Sequence, residues 1–167
     1  MDRLIESLFL ILEQSQELYQ RMLMVLDQEI RAALVSDIDQ MTLATTEKND
    51  LIIRLKELES ERSACLQQIA KTMQLPRTRL TITTLLEHIE PHYGARLKSL
   101  NSSLTAVLAK VRRTNNESRL LIQHCLRLVK NSICFFNHWT GLANVYCASG
   151  NFNETVRGHG RFLSNCV

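Results

Sequence analysis

The chain has 167 residues, 45% hydrophobic and 22% charged, which is enough for one domain with a proper core in an ordinary soluble protein. No apolar run approaches the ~18–20 residues of a membrane span, and five Gly and two Pro leave room for long helices. The net charge of +3 conceals a division: residues 1–74 hold 8 Lys/Arg against 13 Asp/Glu, and residues 75–167 hold 12 against 4. An acidic hairpin lying along a basic helix gains Coulomb complementarity from such a division, screened beyond about 10 Å.

The start, Met1-Asp2-Arg3, becomes amphipathic rather than uniformly apolar, so no signal peptide is expected and the cytosol is the expected compartment. Five cysteines, Cys65, Cys125, Cys134, Cys147 and Cys166, form no C-x-x-C pair. They point to neither a zinc site nor a redox motif, and disulfides are not expected in a reducing compartment.

The first helix is expected over about 2–34. Leu4, Ile11, Leu18, Val25 and Ala32 recur every seven residues, as do Ile5, Leu12, Tyr19, Leu26 and Ala33, with Leu8 and Met22 between them. Glu6, Glu13, Gln16, Gln20 and Asp27 are assigned to the opposite face. A short turn at 36–39 follows, where Ser36 or Asp37 can cap a second helix over about 37–73. Its apolar positions are Ile38, Met41, Leu51, Ile52, Leu55, Leu58, Cys65, Leu66, Ile69 and Met73, interrupted by Thr45, Lys48, Glu59 and Arg62. Pro76 ends it.

A short third helix is expected over about 81–90, with Pro91 and Gly94 at its end. His88 and His92 stand four apart nearby, but Pro91 between them disturbs a helical metal pair, so no metal is assigned. The long fourth helix is expected over about 95–146, a rod of roughly 70 Å at ~1.5 Å per residue if unbroken. Leu97, Leu104, Val111 and Cys125 share one line of it, Leu100, Val107, Leu121, Leu128 and Phe135 a second, and Leu108, Ile122, Val129, Phe136 and Ala143 a third. Asn115 interrupts the third line, and with Ser118 beside it forms a candidate polar layer that fixes register.

Towards its end this helix carries two neighbouring apolar stripes, one with Ile133 and Phe136, the other with Phe135, Trp139, Leu142 and Tyr146. Covering both needs an extra partner. Aromatic anchors at helix-in-groove spacing are how partner helices are gripped, and the base of the bundle core is the alternative place for them. Lys110, Arg112, Arg113, Arg119, Arg127 and Lys130 are spread along the helix with no aromatic platform between them, which argues against nucleic acid. Residues 148–167, rich in Gly and Asn, are expected as a flexible tail. The fold expected is therefore all-α: an elongated antiparallel helical bundle built on a coiled-coil hairpin, spanning residues 1–147, with a long C-terminal helix and a tail.

Three stretches carry a family resemblance. They are Leu8 to Glu29 before Ala32-Ala33-Leu34; Glu47-Lys48 through Leu58-Glu59 and Arg62; and Asn115-x-x-Ser118-x-x-Leu121-Ile122 leading to Tyr146-x-x-x-Gly150. In these the chain resembles the FlgN family of flagellar type III export chaperones, with Ser118 at a position where that family commonly has a second Asn. The resemblance implies a cytoplasmic, non-catalytic chaperone without cofactors. Such a protein binds the helix-forming C-terminal segment of hook–filament junction proteins and works with export gate and ATPase components. Homodimerisation stays open, and no nucleic acid or membrane insertion is implied. Ile133, Phe135, Phe136, Trp139, Leu142 and Tyr146 are the client-binding candidates. The alternative is a non-catalytic homo-oligomeric helical adaptor whose aromatic end is a self-association surface. Neither a paired-carboxylate cleft nor a nucleophile with an aligned base can be picked out, so no enzyme is expected.

Overall fold

The computed structural model describes residues 2–74, 84–85 and 91–139, with side chains described as far as Phe136. Three long helices carry these residues: α1 (Asp2–Leu34), α2 (Ile38–Thr72) and α3 (Pro91–Trp139). No strand occurs among the described residues, and the all-α helical hairpin bundle read from the periodicity is the architecture found. The chain divides into two compact units at Ser118, so residues 2–118 and 119–139 are described separately.

The hairpin turn is closed by backbone geometry. Ser36 adopts a positive φ of 57°, and the Ser36 and Asp37 amides donate to the Ala33 and Ala32 carbonyls at 3.3 and 2.9 Å. These bonds satisfy carbonyls that the end of α1 would otherwise leave open. Of the two capping candidates it is Asp37 that caps α2, its carboxylate accepting from the Gln40 amide at 3.0 Å. Gln74 closes α2 with a second positive φ, 53°.

The expected bounds differ most at α3. It starts at Pro91 rather than about residue 95, and Gly94, assigned to the end of a preceding helix, is buried within its first turn. Proline is suited to the first helical position because the amide hydrogen it lacks would have no partner there. Of the short helix expected over 81–90, only Thr84 and Leu85 are described; both are helical and Leu85 is buried. The continuation to Tyr146 and the tail over 148–167 lie outside the described residues.

Within residues 2–118 each helix presents a ladder with a step of seven. On α2 it is Ala44, Leu51, Leu58 and Cys65, all buried; on α3 it is Leu97, Leu104, Val111 and Ser118. Ile5, Leu8, Phe9 and Ile11 of α1 pack with Leu58, Cys65 and Ile69 of α2 and with Leu97 of α3. Further along, Met22, Val25 and Leu26 pack with Ala44 and Leu51, with Val111 against them. Early α1 therefore meets late α2, while early α3 meets early α1. The consequence is that α2 runs antiparallel to α1, and α3 runs parallel to α1.

One expectation for the faces needs correction. Ile38 and Ile52, read as apolar positions of α2, are exposed, because they lie with Thr45 and Glu59 on the line beside the buried ladder Ala44, Leu51, Leu58 and Cys65. Glu6 and Glu13, assigned to the face opposite the apolar lines, are exposed and flank the contact with α3. Arg96 pairs with them at 3.3 and 2.8 Å, and its guanidinium carbon lies 4.6 Å from the centroid of the buried Phe9 ring. The acidic hairpin and the basic helix meet there.

Candidate functional site

All three helices converge on one buried carboxylate. Glu29 continues the line Leu8, Ser15, Met22 of α1 by a further seven residues, so helical geometry alone carries it into the core. It is 2% exposed. The Ser118 hydroxyl, on a residue 1% exposed, donates to Glu29 Oε2 at 2.6 Å, and the Lys48 ammonium from α2 pairs with Oε1. Each carboxylate oxygen thus has its own donor, the condition on which a charge is tolerated away from water.

Of the candidate polar layer, Ser118 belongs to this cluster and Asn115 does not. Asn115, read as the interruption of an apolar seam, is exposed. Ser118 is the buried polar residue, and it fills the gap that the line Leu97, Leu104, Val111, Cys125 leaves at its fourth step. Lys48, taken as an interruption of α2, is half-buried against Glu29. The signal that would have found the site is that gap, taken with the acidic residue at the end of the Leu8–Met22 line.

Beside the cluster lies an open hollow of ≈ 520 Å³ between the three helices. Met22 and Leu26 contribute from α1, Ile52 and Leu55 from α2 and Val111 from α3, with Lys48 and Asn115 also lining it. Both its size and its mostly apolar lining are those of a ligand pocket. Elsewhere, the His92 and Tyr93 rings meet tilted, 3.9 Å apart between centroids and inclined at 40°; His88, Glu87 and Glu90 lie outside the described residues. No group of three or more His, Cys, Asp or Glu suited to a metal occurs among the described residues, and no described helix is long and apolar enough to cross a membrane.

Residues 119–139 present a different surface. Leu120, Leu126, Leu128 and Val129 are exposed, as are two of the candidate contact residues, Phe135 at 64% and Phe136 at 59%. The two Phe rings meet edge to face, 6.0 Å apart and inclined at 72°. Ile133 is half-buried. The side chain of Trp139, and all of Leu142 and Tyr146, lie outside the described residues. Large apolar side chains on consecutive turns of one helix, left open to solvent, form a surface suited to another apolar helix.

The family model described as FlgN protein matches residues 1–154. No curated protein and no solved structure matches the chain.

Proposed function

The chain belongs to the FlgN family of flagellar export chaperones, and from that premise we propose that its clients are the hook–filament junction proteins. It holds the helix-forming C-terminal segment of a client in the cytosol and delivers it to the gate and ATPase components of the flagellar type III export apparatus. The contact residues are Ile133, Phe135, Phe136, Trp139, Leu142 and Tyr146. The observation that carries this reading is the exposure of Phe135 and Phe136 on two adjacent apolar lines, the first with Leu128 and the second with Val129. Burying a stripe of that kind against a client helix removes apolar surface from water, at roughly 25 cal/mol per Å². No catalytic group takes part, because holding a segment needs affinity and not bond chemistry.

The test is calorimetric titration of the full chain with C-terminal segments of the junction proteins, and with the C-terminal segment of flagellin as control. One-to-one binding of the junction segments alone, with a large negative heat-capacity change, is the expected result. Trp139→Ala is expected to weaken that binding by more than about tenfold with the helical signal unchanged, as for an aromatic hot spot. Failure of every junction segment to bind would overturn the client assignment, and an affinity indifferent to Trp139→Ala would overturn the contact residues.

A further inference from the structure

We infer that the helix received by the apolar face of residues 119–139 carries acidic side chains along its edges, an inference that rests on the client-binding reading above. Wound at 3.6 residues per turn, Leu121, Leu128 and Phe135 fall on one line and Ile122, Val129 and Phe136 on the next. Cys125, Leu126 and Ile133 extend the apolar arc to roughly half the circumference. At one border, next to Leu126 and Ile133, come Arg119 and Lys130. At the other, next to Phe135, comes His124, whose Nδ1 accepts from Arg127 Nη2 at 3.0 Å. Between Arg119 and Trp139 there is no Asp or Glu. Both edges of the face are therefore bordered by cationic or imidazole side chains.

A helix laid on this face brings its own flanking positions against those borders. Carboxylates there gain Coulomb attraction at the rim, which speeds encounter and selects partners more than it adds affinity. Lysines there meet like charge, which rejects them. A basic amphipathic helix also suits an anionic lipid surface. However, residues 119–139 hold only three Lys/Arg, Arg119, Arg127 and Lys130, against a wide apolar face. That balance favours an apolar partner with a few acids over a membrane or a phosphate backbone.

The experiment uses the full chain and two designed amphipathic peptides with one apolar face, flanked in one by Glu and in the other by Lys. The Glu-flanked peptide is expected to bind about tenfold tighter at low salt, with the gap closing at high salt as screening sets in. The double variant Arg119→Glu/Lys130→Glu is expected to reverse the preference while the helical signal is unchanged. Equal binding of the two peptides, or vesicles rich in phosphatidylglycerol binding as tightly as the Glu-flanked peptide, would overturn the inference. Junction-protein segments titrated in parallel separate the two claims. If they bind while the peptides bind alike, the charge rule alone fails; if the Glu preference holds and no junction segment binds, the charge rule stands and the client assignment fails.

Discussion

The hydroxyl of Ser118 donates to the Glu29 carboxylate at 2.6 Å across 89 positions of sequence, and Lys48 takes the other carboxylate oxygen. One side chain thereby ties α1, α2 and α3 together at the point where the first compact unit ends. Removing one partner leaves one oxygen of the buried carboxylate without its donor. Lys48→Met is expected to lower unfolding free energy by about 3–5 kcal/mol. Ser118→Ala should cost about 1.5–3 kcal/mol, as for a hydrogen bond to a charged group. Glu29→Met combined with both is expected to recover most of the loss, because an apolar trio needs no partners. Urea midpoints at constant m-value provide the readout; additive losses in the triple variant would refute the clasp.

Asn115 supplies the control. Placed in the seam, it would be a polar cost that Asn115→Leu removes, raising the melting temperature. Exposed as it is, the substitution is expected to move stability by no more than about 0.5 kcal/mol. A large rise in thermal midpoint would return Asn115 to the seam.

Phe9 and Arg96 form the second junction between α1 and α3. Phe9 is almost wholly buried, so Phe9→Ala is expected to cost about 3–5 kcal/mol through the cavity it leaves. Arg96 pairs with Glu6 and Glu13 at the surface, and the two carboxylates hold its guanidinium pKa above the ordinary range, the Glu13 hydrogen bond foremost. Arg96→Met should lower the thermal midpoint at low salt and much less at high salt, since exposed pairs are screened. A salt-independent loss would assign the contact to packing on Phe9 instead.

The cysteines are expected to react in a fixed order. Cys65 is buried with its thiol directed at the Leu4 carbonyl at 3.3 Å, and burial pushes its pKa above the ordinary 9.0. Cys134 is exposed. Alkylation followed by peptide mapping should label Cys134 in the native protein and Cys65 only on unfolding. The folded state holds the Cys65 proton more tightly than the unfolded chain does. This contribution to stability is therefore complete below the unfolded value near 9.0 and declines as pH rises beyond it. Cys65 labelled as fast as Cys134 in the native state would contradict the packing of α1 on α2.

The sequence by itself determined the two helices of the hairpin and the body of α3, the turn at Ser36 and Asp37, the seven-residue step of the ladders and the surplus aromatic surface around Phe135. All of these follow from local backbone preference and from the period at which apolar side chains return to one face. The tertiary structure decided which line of one helix meets which line of another. Periodicity assigns residues to lines but is silent on pairing. Nothing along the chain therefore marks Glu29 as the partner of Lys48 and Ser118. Nothing along the chain joins Glu6 and Glu13 to Arg96 over Phe9, and only the packing separates the buried Ser118 from the exposed Asn115 within the candidate polar layer. A buried charge is stable only beside partners that the chain delivers from distant positions, so its role is written in the packing and not in its neighbours along the chain.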